Sequence, residues 1–157
     1  APEPTVFVDV SIIAPSSSLK YLGLPYGRDK KTTRTLCLDT LVSNLRVSYA
    51  KLAPLKYSYN RQILARMYRE VALPHVLYLS PLWEWFTETE RLKVRSAFCR
   101  YLKFLIRIPL FERNSFLLNK YQIPDPREAV AEQETNARKG AFEHLYDFLP
   151  LHVIYEL

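Results

Sequence analysis

Arg100, Lys103 and Arg107 recur at steps of three and four. On a helix such residues stand on successive turns, and a row of cations is chemistry for a row of phosphates. Each phosphate neutralised releases a counterion, which gives affinity independent of base sequence that falls with salt. Arg91, Lys93 and Arg95 precede this triad in the same segment, and Arg61, Arg66 and Arg69 lie in an earlier one. Lys30, Lys31 and Arg34 occupy a charged loop and the helix start behind it. With 3.6 residues per turn these side chains cannot all face one ligand, so Arg100, Lys103 and Arg107 form the favoured cluster. The net charge of +6 is unevenly spread: residues 20–107 hold 17 Lys/Arg against 6 Asp/Glu, and residues 108–157 hold 5 against 8. A basic middle is a localised field that attracts a polyanion. The plain alternative is a solvated helix surface.

Catalytic chemistry is poorly supplied. His75, His144 and His152 are scattered, and none stands at ligand spacing from a Cys or Glu, so no metal and no cofactor is expected. No Gly-x-Ser-x-Gly and no Gly-x-x-x-x-Gly-Lys occurs. Cys37 has Asp39 nearby but no sign of a catalytic histidine. A helix cap accounts for Thr87-Glu88-Thr89-Glu90, and Glu132 and Glu134, two apart, do not face each other on a helix. The expectation is a chain that is not an enzyme.

The elements that must carry the basic residues are mainly α-helices. A chain of 157 residues, 48% hydrophobic and 13% aromatic, can bury a real core. Residues 5–13 read as one strand, 14–18 as a turn, and 19–26 as a returning strand with Gly23 and Gly27 as bends, which together make an N-terminal β-hairpin. Thr32 or Thr33 can cap a helix whose core stripe is Leu38, Leu41, Leu45, Tyr49 and Leu52, ended by Pro54. A second helix begins near Ser58 with Ile63, Leu64, Met67, Tyr68 and Val71 as its stripe, and Pro74 kinks or stops it. Thr87 and Glu90 form a capping box for a helix reaching about Arg107, with Leu92 or Val94, Phe98, Leu102 and Leu105 inward. Ser115 can cap a short helix. Asp125-Pro126 opens another, which Gly140 ends or interrupts. A final amphipathic segment carries Phe142, Leu145, Tyr146 and Phe148. The expected fold is therefore a helical bundle with a short N-terminal β-hairpin, divided at 1–30, 31–109 and 110–157.

Cys37 and Cys99 are too few for a disulfide scaffold and read as reduced core thiols. That favours an intracellular, reducing compartment and leaves nucleus, cytoplasm and organelle matrix open. No apolar run approaches the length of a membrane span. The start at Ala1-Pro2 fits a processed protein or part of a longer one.

Four pieces occur in a telling order. They are Ser18-Leu19-Lys20-Tyr21-Leu22-Gly23-Leu24, then Tyr49-Ala50-Lys51-Leu52, then the run from Leu64 through Pro74 to Trp83, and then Arg95-Ser96-Ala97-Phe98-Cys99-Arg100-Tyr101-Leu102-Lys103. In this order they resemble the end of the palm and the thumb of non-LTR retrotransposon reverse transcriptases, over about residues 6–109. Residues 110–157 resemble the segment after the thumb less closely. The resemblance implies a thumb whose basic helices contact the phosphates of a primer–template duplex. The family's aromatic-x-Asp-Asp turn, which holds two metals, is missing from these residues, so they are not expected to polymerise by themselves.

Three readings follow. The first is a non-catalytic, reverse-transcriptase-derived module that binds RNA as a structural subunit of a larger ribonucleoprotein, an organellar ribosome being one host that fits. Its partners would be the phosphate backbone of RNA or of an RNA–DNA duplex, and other protein subunits, with no membrane. The second is a thumb fragment of an active reverse transcriptase. The third is a protein-interaction scaffold with Trp83, Trp85, Phe86, Tyr57 and Tyr59 as docking anchors.

Overall fold

A computed structural model describes residues 6–8, 11–13, 16 and 18–148, and the side-chain surroundings of residues 16 and 18–141. Strand residues 5, 9 and 10 and turn residues 14, 15 and 17 lie outside the described residues. So do the side chains of Phe142, Leu145, Tyr146 and Phe148 in the last expected apolar set. The fold is mainly helical with antiparallel strand pairs at its N-terminal end. The chain divides into two units, 1–40 and 41–157.

In the first unit, β1 (Val6–Val8) pairs with β2 (Ser11–Ile13), and β3 (Ser18–Tyr21) pairs with β4 (Leu24–Gly27). Each run expected as a single strand thus folds back on itself, giving two local hairpins in place of one long one. Tyr21 faces Leu24, so only Leu22 and Gly23 lie between β3 and β4. Their φ angles are 51° and 80°. Two successive positive φ values match a tight turn to the twist of the strands it joins, and Gly23 adopts its value without a Cβ penalty.

Helix α1 (Lys30–Leu52) begins where the Asp29 carboxylate accepts a 2.6 Å hydrogen bond from the N–H of Thr32. That bond, assisted by Lys31 and Arg34, holds the Asp29 carboxyl below its ordinary range. The cap is therefore Asp29 and not Thr32 or Thr33. Thr33 is buried and has another task. Its hydroxyl donates to the Asp29 carbonyl at 2.9 Å and accepts from the Gly27 N–H at 3.0 Å, tying the end of β4 to the helix start. A side chain at residue 27 would stand 2.6 Å from Thr32 Cβ, so this junction requires glycine.

From Leu41 onward α1 belongs to the second unit, with Leu41, Leu45, Ser48 and Leu52 buried. A 3-10 turn (Ala53–Leu55) follows, then α2 (Arg61–Leu77), a 3-10 segment (Ser80–Trp85), α3 (Glu88–Ile106), α4 (Asn114–Lys120) and α5 (Pro126–Phe148). Helix α2 is capped by Asn60, whose side chain accepts from the Ile63 N–H at 2.9 Å. Its buried face is Leu64, Ala65, Tyr68, Ala72, Leu73 and Val76. Ile63 is exposed, and Met67 and Val71 are half-buried, so the true face is rotated from the expected stripe toward the two alanines. The helix passes through Pro74, which is exposed.

Helix α3 has the expected capping box, with Thr87 and Glu90 satisfying each other's backbone N–H. Val94, not Leu92, joins Phe98, Leu102 and Leu105 in the core. Asp125 caps α5 ahead of Pro126, as expected. Gly140 lies within α5, which continues to Phe148. Helix α5 packs on α2, α3 and the 3-10 segment, so residues on both sides of the expected 109/110 boundary share one core. Cys37 and Cys99 are free and buried, and burial pushes the Cys99 thiol up to about 11.

Candidate nucleic-acid interface

Helix α3 does not present Arg100, Lys103 and Arg107 as one solvent face. Lys103 is 5% exposed, and its ammonium donates to the carbonyls of Leu110 at 3.2 Å and Glu112 at 2.6 Å. The reason lies in the same spacing that suggested the cluster. Lys103 is three residues from Arg100 but also four from Cys99 and three from Ile106, both fully buried. Its aliphatic stem runs along the core side, and the loop after the helix supplies oxygens for its head. Arg107 leaves the helical phase altogether, since it is the left-handed C-cap of α3 with φ 59°.

Four other arginines bind the protein to itself. Arg91 is half-buried, donates to the Trp83 carbonyl at 3.0 Å and lies 5.6 Å from the centre of the Trp83 ring. Arg95 pairs with Asp125 at 3.0 Å. Asp125 also meets Arg127 at 3.4 Å, and Arg127 reaches Glu88 at 3.1 Å. Arg138 pairs with Glu84 and with Glu134. These interactions hold α5 to α3 and to the 3-10 segment. They account for Arg91 and Arg95 as structural residues, although both are among the residues expected to touch nucleic acid.

The cations of α2 are different. Arg61, Arg66 and Arg69 are exposed, and among the described residues none of them forms an ion pair. Arg66 and Arg69 line a cleft of about 350 Å³ with Gln62, Ile63, Tyr121 and Gln122. Arg69 also reaches the Gln122 carbonyl at 3.5 Å. Arg61 lines a second cleft of about 170 Å³ together with Arg107 and Lys120. Helix α2 therefore feeds arginines into two clefts, each closed on its far side by residues at or after the end of another helix.

Both clefts contain a non-glycine residue in the left-handed region, Arg107 in one and Gln122 (φ 54°) in the other. Each ends a helix in place of glycine. The N–H groups of Ile108 and Ile123, one residue further on, bond back to Lys103 and Leu118 carbonyls, both at 2.9 Å. A non-glycine residue in this conformation carries strain of about 1–3 kcal/mol and persists where its surroundings over-determine it.

The remaining expected residues are more dispersed. Lys93 and Arg100 are exposed, seven residues apart and hence on one side of α3. Lys30 and Lys31 are exposed at the start of α1, and Arg34 is half-buried there. Sequence reasoning missed Lys120, Gln122 and the role of Tyr57. Tyr57 is 76% exposed, and the Arg107 guanidinium lies 5.0 Å from its ring centre. Of the aromatics considered as docking anchors, Trp83 and Phe86 are core residues that meet each other with ring centres 5.8 Å apart. Among the described residues no helix is long and apolar enough to cross a membrane, and no group of His, Cys, Asp or Glu is arranged to hold a metal ion. No family model, curated protein or solved structure matches this chain.

Proposed function

We propose that this chain is a non-catalytic nucleic-acid-binding module, and that residues 41–157 hold RNA through its phosphates as part of a larger ribonucleoprotein. The ordered motifs that resemble a reverse-transcriptase thumb support the reading from sequence. The observation that carries it is the division of the cations. Arg95, Arg127 and Arg138 are neutralised by carboxylates within the fold. Arg61, Arg107 and Lys120 converge on one cleft with no carboxylate paired to them among the described residues. Unpaired cations brought together in a concave surface raise the local potential and suit a polyanion.

Binding to RNA should weaken steeply with salt. The variant Arg61→Glu/Arg107→Asn/Lys120→Glu removes the three positive charges and adds two negative ones, with asparagine chosen because it tolerates the left-handed conformation at 107. It should lower affinity and flatten the slope of log affinity against log salt by about one for each phosphate no longer neutralised. Its circular-dichroism spectrum should stay helical. An unchanged slope would remove this cleft from the proposal. A polymerase-thumb role would instead show as preference for an RNA–DNA duplex over folded RNA.

A further inference from the structure

The cationic cleft is bordered by exposed aromatic rings. Phe116, 58% exposed, lines it beside Arg61, Arg107 and Lys120. Tyr57, 76% exposed, carries Arg107 at 5.0 Å and so joins the cleft through that guanidinium. Phe111 is 85% exposed and directly precedes Glu112, the one acid of the described lining. The loop that bears Phe111 is pinned from beneath, because the Lys103 ammonium holds the carbonyls of Leu110 and Glu112 on either side of it.

A duplex presents phosphates and groove edges but keeps its base faces stacked inside. Phosphate-binding arginines alone would serve a duplex. Large exposed rings beside them add a function that only unpaired bases can use, since every base has a π-face and stacks on an aromatic side chain without regard to sequence. We infer that Tyr57, Phe111 and Phe116, with Arg61, Arg107 and Lys120, form a stacking platform for a single-stranded polynucleotide. The cations track its backbone and the rings take its bases. Lys103 is a positioning residue that sets the 107–112 loop and does not touch the ligand. This inference rests on the proposed nucleic-acid function and specifies the form of nucleic acid bound.

The test uses the full chain and fluorescence anisotropy with three labelled probes: oligouridine, oligothymidine and a blunt RNA duplex with the same number of phosphates. Both single strands should bind more tightly than the duplex at equal salt. Tyr57→Ala/Phe116→Ala should weaken single-strand binding by about tenfold or more, a loss well beyond that for the duplex, which uses only the cations. Tyr57→Leu/Phe116→Leu should lose as much, because leucine keeps apolar area without a π-face. Tyr57→Phe/Phe116→Tyr should bind like the parent, which guards against a loss caused by misfolding. Single-strand binding that survives the alanine and leucine variants, or a duplex that binds as tightly as the single strands, would overturn the platform while leaving salt-dependent nucleic-acid binding intact. Absence of binding to all three probes at low salt would overturn both proposals.

Discussion

The Tyr68 hydroxyl donates a 2.8 Å hydrogen bond to the main-chain carbonyl of Phe98, and the two rings lie 5.1 Å apart with both residues fully buried. One pair of residues thus joins the middle of α2 to the middle of α3. It fixes the rotation of the helix bearing Arg61, Arg66 and Arg69 against the helix that ends at Arg107.

Tyr68→Phe should destabilise the protein by about 1 kcal/mol, since the Phe98 carbonyl keeps a helical partner and only the phenol bond is removed. Tyr68→Ala should cost about 3–5 kcal/mol because it also opens a cavity. Chemical denaturation checks both. Burial pushes the Tyr68 phenol well above its ordinary value of 10.0. Its stabilising contribution is therefore complete below that value and is lost as pH rises toward the folded value. In an ultraviolet pH titration the Tyr68 phenol should ionise only well above 10.0.

Lys103→Met should lower stability by about 1–3 kcal/mol by leaving the Leu110 and Glu112 carbonyls without their donor. The loss should be local first. Hydrogen exchange in residues 107–113 should accelerate before that of the α2 core. Uniform exchange through both regions would mean that Lys103 supports the bundle and not this loop.

Asp29 should make the start of α1 sensitive to acid. Its carboxyl is held below the ordinary 3.8, principally by the hydrogen bond from Thr32. A depressed carboxyl stabilises the fold fully above its ordinary value, and that contribution is lost as pH falls through the lowered one. The Thr32 amide resonance should follow this titration with a midpoint below 3.8. Asp29→Asn keeps a capping oxygen and should abolish the pH dependence without unwinding the first turn.

Asp125→Ala should be among the more damaging surface-proximal changes. It removes the cap of α5 and leaves Arg95 without its carboxylate. Both side chains are only partly exposed, at 20% and 15%, so the expected loss is about 2–3 kcal/mol, below that of breaking a fully buried pair. Thermal melting against the parent measures it. Asp125→Asn should recover part of the loss by restoring the cap alone.

The features legible along the chain are local ones. The Thr87–Glu90 capping box, the Asp125-Pro126 helix start and the helices at 61–77 and 88–106 follow from interactions within a turn or two of chain, and all are present. The expected strand at 19–26 became a hairpin because a two-residue turn at Leu22-Gly23 lets the chain pair with itself sooner. The end of α3 fell where expected, at about Arg107, but the left-handed conformations of Arg107 and Gln122 were not legible, because each does there what glycine usually does. The fate of the cations, by contrast, was settled by packing between distant segments. Whether an arginine or lysine meets water, a carboxylate or a carbonyl depends on residues far away in sequence. Lys103 looks like Arg100 along the chain, yet the loop at Leu110–Glu112 encloses one and leaves the other exposed. Charge is written in the sequence, but the freedom of that charge to act on a partner depends on how the helices and loops come together around it.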